Sequence, residues 1–109
     1  MPSKGTVGFC LVLTSYSKDD TGAKIVEALL SSRLAACIQV LPITSHFTWK
    51  GKTARERESL MLIKARSSDF EAVKDTILKH HDYEVPEVVS LGIDRASSGY
   101  LNWMMDVTK

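Results

Sequence analysis

The sequence contains no apolar run approaching the ~20 residues of a membrane span, which removes a spanning helix from consideration. Charge of one sign is missing too. Fourteen Lys and Arg against thirteen Asp and Glu leave a formal net charge of +1, giving no electrostatic reason to expect nucleic acid or an anionic membrane as partner. Cysteine is scarce, and Cys10 and Cys37 each lie inside an apolar run, the setting of buried thiols in a reducing compartment. The cytoplasm is the expected location. No glycine-rich phosphate loop and no serine elbow occurs, and neither cysteine sits where a thiolate would be favoured, so catalysis is not expected. The early apolar stretch is followed by serines and acids without a small-residue cleavage pattern, so it reads as a first strand and not a signal peptide.

What remains is an ordinary composition for one globular domain, residues 1–109, with a thin core that burial against a partner subunit would help. "VGFCLVLTS" (7–15) is a continuous apolar run of strand length. "SKDDTGAKIVEALLSSR" shifts to helical period, with Ser17 and Asp20 at capping-box spacing and Val26, Leu29, Leu30 and Leu34 as the inward stripe. "AACIQV" returns to strand, and Pro42 interrupts it at an edge or bulge. A hairpin follows with Lys50-Gly51-Lys52 at its tip. Its outgoing strand begins with charge (Arg55, Glu56, Arg57, Glu58) and ends with "LMLI", apolar on both faces. A second helix has Ser68 and Glu71 as capping box and Phe70, Val73 and Ile77 inward. A fourth strand, "VPEVVSLGI", is entered through Pro86, and a short helix carries Tyr100, Trp103, Met104 and Val107.

The order β-α-β-β-α-β plus a terminal helix, with right-handed crossovers, predicts an α+β class: the ferredoxin-like split βαβ sandwich with strand order 4-1-3-2. Common uses of that fold fail here. The third strand lacks the aromatics an RNA-recognition sheet needs. The loop "TSYSKDD" has no Cys-x-x-Cys for Cu(I) and no arginine for a phosphate.

The hairpin strands, about 36–49 and 53–66, are far longer than the ~5–6 residues usual for a strand. Two helices cannot cover such a ribbon, and an exposed edge is normally paired. Pairing around a threefold axis would satisfy the ladder and bury "LMLI", so a homotrimer is expected. Lys64 is expected to pair with Glu56 and Glu58 along the hairpin.

"KHHDYEVPEVV" (79–89) holds two of the three histidines. Adjacent helical residues diverge by ~100°, so His80 and His81 can share an ion only if the helix turns before Asp82. Otherwise they are the imidazoles of a helix C-terminus, favourable to its dipole.

"RLAACIQVLPITSHFTWKGK", "ERESLMLIK", "HHDYEVPEVV" and "YLNWM" together resemble the CutA family of divalent-cation-tolerance proteins, over about Val7 to Met105. The resemblance implies a ferredoxin-like subunit in a tight trimer, PII-like in shape, and a role in the response to copper and other divalent metals. By that resemblance His80 and His81 are the metal ligands, with Thr14 where the family has a ligating cysteine. Exchange of a soft thiolate for a hydroxyl leaves a weak imidazole site for copper or another divalent cation. No organic cofactor is evident. Trp49, Glu56, Glu58, Lys64, Tyr83, Tyr100 and Trp103 match the family's polar and aromatic positions and would line an inter-subunit cleft, as ligand pocket or as interface packing. Besides a metal-responsive binding trimer, two readings stand: a PII-like regulator binding a small metabolite or nucleotide, and a structural trimer anchoring partner proteins. Expected partners are further copies of the chain and a small molecule, with no nucleic acid and no membrane.

Overall fold

The computed structural model describes residues 8–109, so the expected strand start at Val7 lies outside the described residues. The elements are β1 (Phe9–Tyr16), α1 (Asp19–Ser31), β2 (Ala35–Trp49), β3 (Lys52–Arg66), α2 (Phe70–His80), β4 (Val89–Gly92) and α3 (Ser98–Val107). A 3-10 turn, Ser67–Asp69, leads into α2. The strands form one antiparallel sheet in the order β2-β3-β1-β4, the expected split βαβ arrangement. Among the described residues no helix is long and apolar enough to cross a membrane.

One face of the sheet carries α1 and α2. Val12, Met61 and Ile63 from the strands meet Ile25, Leu29, Val73 and Ile77 from the helices, all fully buried. Each such side chain contributes roughly 1.5–3 kcal/mol of transfer free energy. The buried stripe of α1 is Thr21, Gly22, Ile25 and Leu29; of the expected Val26, Leu29, Leu30 and Leu34, Leu29 and Leu34 are buried and Val26 packs partly buried against the core, and only Leu30 departs. Leu30 lies ~100° round the helix from Leu29 and is exposed. Gly22 leaves the space that the buried Tyr16 ring fills, since a Cβ there would collide with it.

Neither expected capping box forms. The residues before α1 and α2 are Lys18 and Asp69, neither making a side-chain cap bond. Acids in the first turns, Asp19, Asp20 and Glu71, face the positive helix ends instead. At the other end of α1, Arg33 adopts the left-handed conformation (φ 60°), and Leu34 N–H bonds Leu29 O at 3.0 Å in a Schellman closure. The hairpin tip is a two-residue turn with Lys50 and Gly51 both at positive φ, as the primed hairpin turn requires.

The second face is mostly bare. Helix α3 covers one end, packing Met104 against Phe9 and Ala36. Its C-terminal end is pinned by two arginines: Arg66 donates to Thr108 Oγ1 (2.8 Å) and Met105 O (2.9 Å), and Arg33 donates to Asp106 O and Val107 O. The rest of that face carries cross-strand rows, Val89–Leu13–Leu62 and Leu91–Leu11–Lys64. Val89, Leu91 and Leu41 are 46%, 52% and 40% exposed, unusual for one face of a folded sheet.

Candidate functional site

β1 pairs with β3 only as far as Tyr16 opposite Ser59. Beyond that point β2 and β3 continue alone as a two-stranded arm, from Ile43 opposite Glu58 to Trp49 opposite Lys52. Strand alternation then sorts its side chains. Ile43, Ser45, Phe47 and Trp49 share a face with Glu56 and Glu58, in continuity with Leu60 and Leu62 of the bare face. Thr44, His46, Arg55 and Arg57 share the other. The run Arg-Glu-Arg-Glu is therefore split by sign, acids to one side and guanidiniums to the other.

Residues 81–88 cross the end of β1 to reach β4, and three contacts hold them there. The His81 side chain is fully buried and its Nε2 lies 2.8 Å from Ser15 O. A carbonyl only accepts, so Nε2 carries the proton, and Nδ1 is left to accept the Tyr83 N–H at 3.1 Å. Asp82 accepts from Thr21 Oγ1 (3.1 Å) and pairs with Lys18 (3.4 Å). Partial burial pulls its pKa up, but the Thr21 hydroxyl, its own backbone and Lys18 outweigh this and hold it below the usual carboxylate value. Glu87 accepts from Ser15 Oγ. Residues 85–88, expected as strand, are spent on this crossing, and β4 shrinks to four residues.

The loop delivers Tyr83 to the arm. Its phenol donates to Glu58 Oε2 at 2.5 Å, while Ser45 donates to Glu58 Oε1 at 2.6 Å. Burial first, and the Glu58 carboxylate second, push the Tyr83 pKa up to about 12. In the crook between arm and loop lies a cavity of about 440 Å³. Phe47, Trp49, Tyr83 and Val85 give it apolar walls, and Glu56, Glu58, Asp82 and Glu84 stand around it.

Of the seven residues expected in one cleft, the structure gathers four here: Trp49, Glu56, Glu58 and Tyr83. The other three form a second cluster at the opposite end of the bare face. Lys64 Nζ donates to Tyr100 Oη at 3.1 Å and stands 5.0 Å from its ring centroid, and the Tyr100 and Trp103 rings are 5.4 Å apart. Glu58 and Lys64 are six residues apart on one strand, so roughly 20 Å separates them. The expected ion pairs of Lys64 with Glu56 and Glu58 are not made within the chain, because that span exceeds any side-chain reach. Phe47 was legible at two residues from Trp49. Asp82 and Val85 were not, since only the loop crossing brings them to the arm.

The histidines diverge. Helix α2 ends at His80, and His81 is already extended, with its N–H on Ile77 O. Both ring nitrogens of His81 are spent on the backbone, so a metal could bind only by breaking one of those bonds. His80 is half-buried, and its ring makes no hydrogen bond among the described residues. Thr14 is buried on the helix-covered face opposite Met61, its Oγ1 without a partner. Among the described residues no three His, Cys, Asp or Glu converge to hold a metal ion. The side chains present do not fit a chelated metal at this position.

The solved structure of CutA1 from Oryza sativa superposes with a TM-score of 0.89 at 32% identity, over 97% of this chain and 98% of that one. Protein CutA, chloroplastic, from Arabidopsis thaliana is 33% identical over 98% of this chain, and the CutA homolog of Xenopus laevis 44% identical over 82%. The chain spans 59% and 60% of the length of those two relatives. The sequence model of the CutA1 divalent ion tolerance proteins matches residues 10–107, and with this fold beneath it the chain belongs to the CutA1 divalent ion tolerance family.

Proposed function

We propose that this protein works as a homotrimer without catalytic activity, a binding protein in divalent-ion tolerance whose arms form clefts with neighbouring copies. The bare sheet face supports this reading: Val89, Leu13 and Leu62 run across β4, β1 and β3, and Leu60, Leu41, Ile43, Phe47 and Trp49 continue the apolar surface along one side of the arm, beside Glu56 and Glu58. A face so apolar on a 109-residue chain calls for a partner, and a second copy carries the same long unpaired β2 edge. Assembly also gives the two separated clusters a use, because a neighbouring copy can bring Lys64, Tyr100 and Trp103 to the arm that one chain cannot reach.

The cavity beside Trp49 favours a second component of the proposal, a small-molecule ligand in each cleft as in a PII-like regulator. Metal binding enters only as a weak association of copper or another divalent cation with His80, the histidine whose ring is not committed to the backbone. Both cysteines are free, which favours the cytoplasm as the site of action. Light scattering coupled to size exclusion is expected to give a mass three times the 12.1 kDa chain, independent of dilution into the micromolar range. A folded species of single-chain mass would overturn the proposal.

A further inference from the structure

We infer that the face of the arm turned away from the bare sheet face docks an extended acidic segment of another protein, with carboxylates at alternate positions. This goes beyond the proposed function and concerns the other side of the arm. The proposed assembly closes over the side that carries Glu56 and Glu58. Strand alternation turns Arg55 and Arg57 to the opposite side, together with Thr44, His46, Thr48 and Thr53. None of these six residues is acidic. Both guanidiniums are exposed, and neither forms an ion pair among the described residues.

Two hollows lie along the arm. One, of about 480 Å³, is bordered by Ser17, Thr44, Arg57 and Ser59, and the other, of about 420 Å³, by His46, Thr48, Thr53 and Arg55. Each sets one guanidinium among hydroxyl donors, a set suited to carboxylate oxygens. Glu58 also borders the first hollow, but its oxygens are taken by Ser45 and Tyr83. Spacing then selects the partner. Arg55 and Arg57 stand two residues apart on one strand, about 7 Å. A second extended chain lying along the arm repeats its own side chains on one face at the same ~7 Å, so glutamates at i and i+2 meet both guanidiniums in register. A single-stranded nucleic acid also carries evenly spaced charge, but it is held by stacking its bases on aromatic rings. The aromatics of the arm, Phe47 and Trp49, are on the opposite side, and a net charge of +1 adds no wider attraction. An acidic peptide fits this face better than a polynucleotide does.

The test is fluorescence anisotropy of a short labelled peptide of alternating glutamate and threonine, titrated with the full chain at low salt. Saturable binding is expected, and none for the counterpart with glutamine in place of glutamate. A peptide of the same composition with its glutamates in adjacent pairs should bind at least about threefold more weakly, since one carboxylate of each pair points away from the arm. Arg55→Gln and Arg57→Gln should each weaken binding about two- to fivefold, the worth of one exposed ion pair. Lys24→Gln, which removes the same charge from α1, should leave it unchanged. Both arginines are exposed, so circular dichroism and light scattering should show fold and assembly retained in their variants. A thymidine oligonucleotide of equal charge should displace the peptide poorly. Absence of binding, equal binding of the paired-glutamate peptide, indifference to both arginine changes, or equally tight binding of the oligonucleotide would overturn the inference. The docking face belongs to one chain, so a single-chain mass would overturn the trimer and not this inference.

Discussion

The sheet has two faces built from alternate residues of the same strands, and they have opposite fates. On one, Val12, Met61 and Ile63 are sealed beneath α1 and α2. On the other, Leu11, Leu13, Leu60 and Leu62 are of similar apolar character, yet only α3 touches that face, at one end. Hydrophobicity therefore does not distinguish interior from surface here. The covered face stabilises the single chain, and the bare face leaves apolar surface in water that the proposed assembly would bury. In a segment apolar at every position, as "LMLI" is, Met61 and Ile63 enter the core while Leu60 and Leu62 stand on the face this chain leaves mostly bare.

That contrast can be broken on either side. Leu62→Asp is expected to have the largest effect, since assembly would bury one unpaired carboxylate per subunit at several kcal/mol each. The outcome should be a single-chain mass by light scattering with the far-ultraviolet circular dichroism of helix and sheet retained. Its neighbour on the covered face should behave in the opposite way. Ile63→Ala opens a cavity in the core and is expected to lower chain stability by about 2–5 kcal/mol in denaturant melts, without a specific loss of assembly at low denaturant. If Leu62→Asp left the mass unchanged, the bare face would not be an interface.

A smaller effect is expected at the arm. Tyr83→Phe removes the donor to Glu58 and should cost about 1–2 kcal/mol. The pH dependence has a definite sign. Because the folded pKa of Tyr83 lies above the ordinary tyrosine value of about 10, folding favours the protonated phenol. Its contribution is therefore fully present below pH ~10 and is lost as pH rises through about 12. A phenolate titration followed at 295 nm should show a late step in the wild type that Tyr83→Phe removes.

The smallest effect concerns metal. Copper(II) titration of stripped protein at neutral pH should show weak binding that His80→Ala reduces further and His81→Ala leaves unchanged. His81→Ala should instead loosen residues 81–88 and lower stability, because it takes away both of that ring's backbone bonds. A drop in copper affinity for His81→Ala, with stability intact, would return that residue to the ligand set.

Element order and sheet topology were legible because period-2 and period-3.6 patterns report burial directly, and "LMLI" pointed to a second apolar face that the helices leave bare. Finer features were not. Leu30 reads as core by composition, and only its angle on the helix exposes it. The capping boxes had the right spacing, yet acids in the first turn supplied the same electrostatic benefit without the side-chain bonds. At His80 and His81 the adjacent pair suggested a shared ligand. The decisive fact is that α2 stops between them and sends one ring to Ser15, a partner 66 residues away. Lys64 looked near Glu58 on the page, but a strand stretches six residues over roughly 20 Å.

The arm also carries a constraint on length. Its carboxylates and guanidiniums are told apart only by the parity of their positions along β3. Removing Ser59 would turn everything towards the tip by half a pleat, presenting Arg55 and Arg57 to the cavity and Glu56 and Glu58 to the opposite side. Paired removal of Ser59 with its cross-strand neighbour Pro42 would act on both strands at once and turn Phe47 and Trp49 over with them, whereas excising two consecutive residues from each strand would restore every face. The arm behaves like a ruler marked in twos, and a deletion series should read as alternating loss and recovery of assembly and of the cavity's acidic lining.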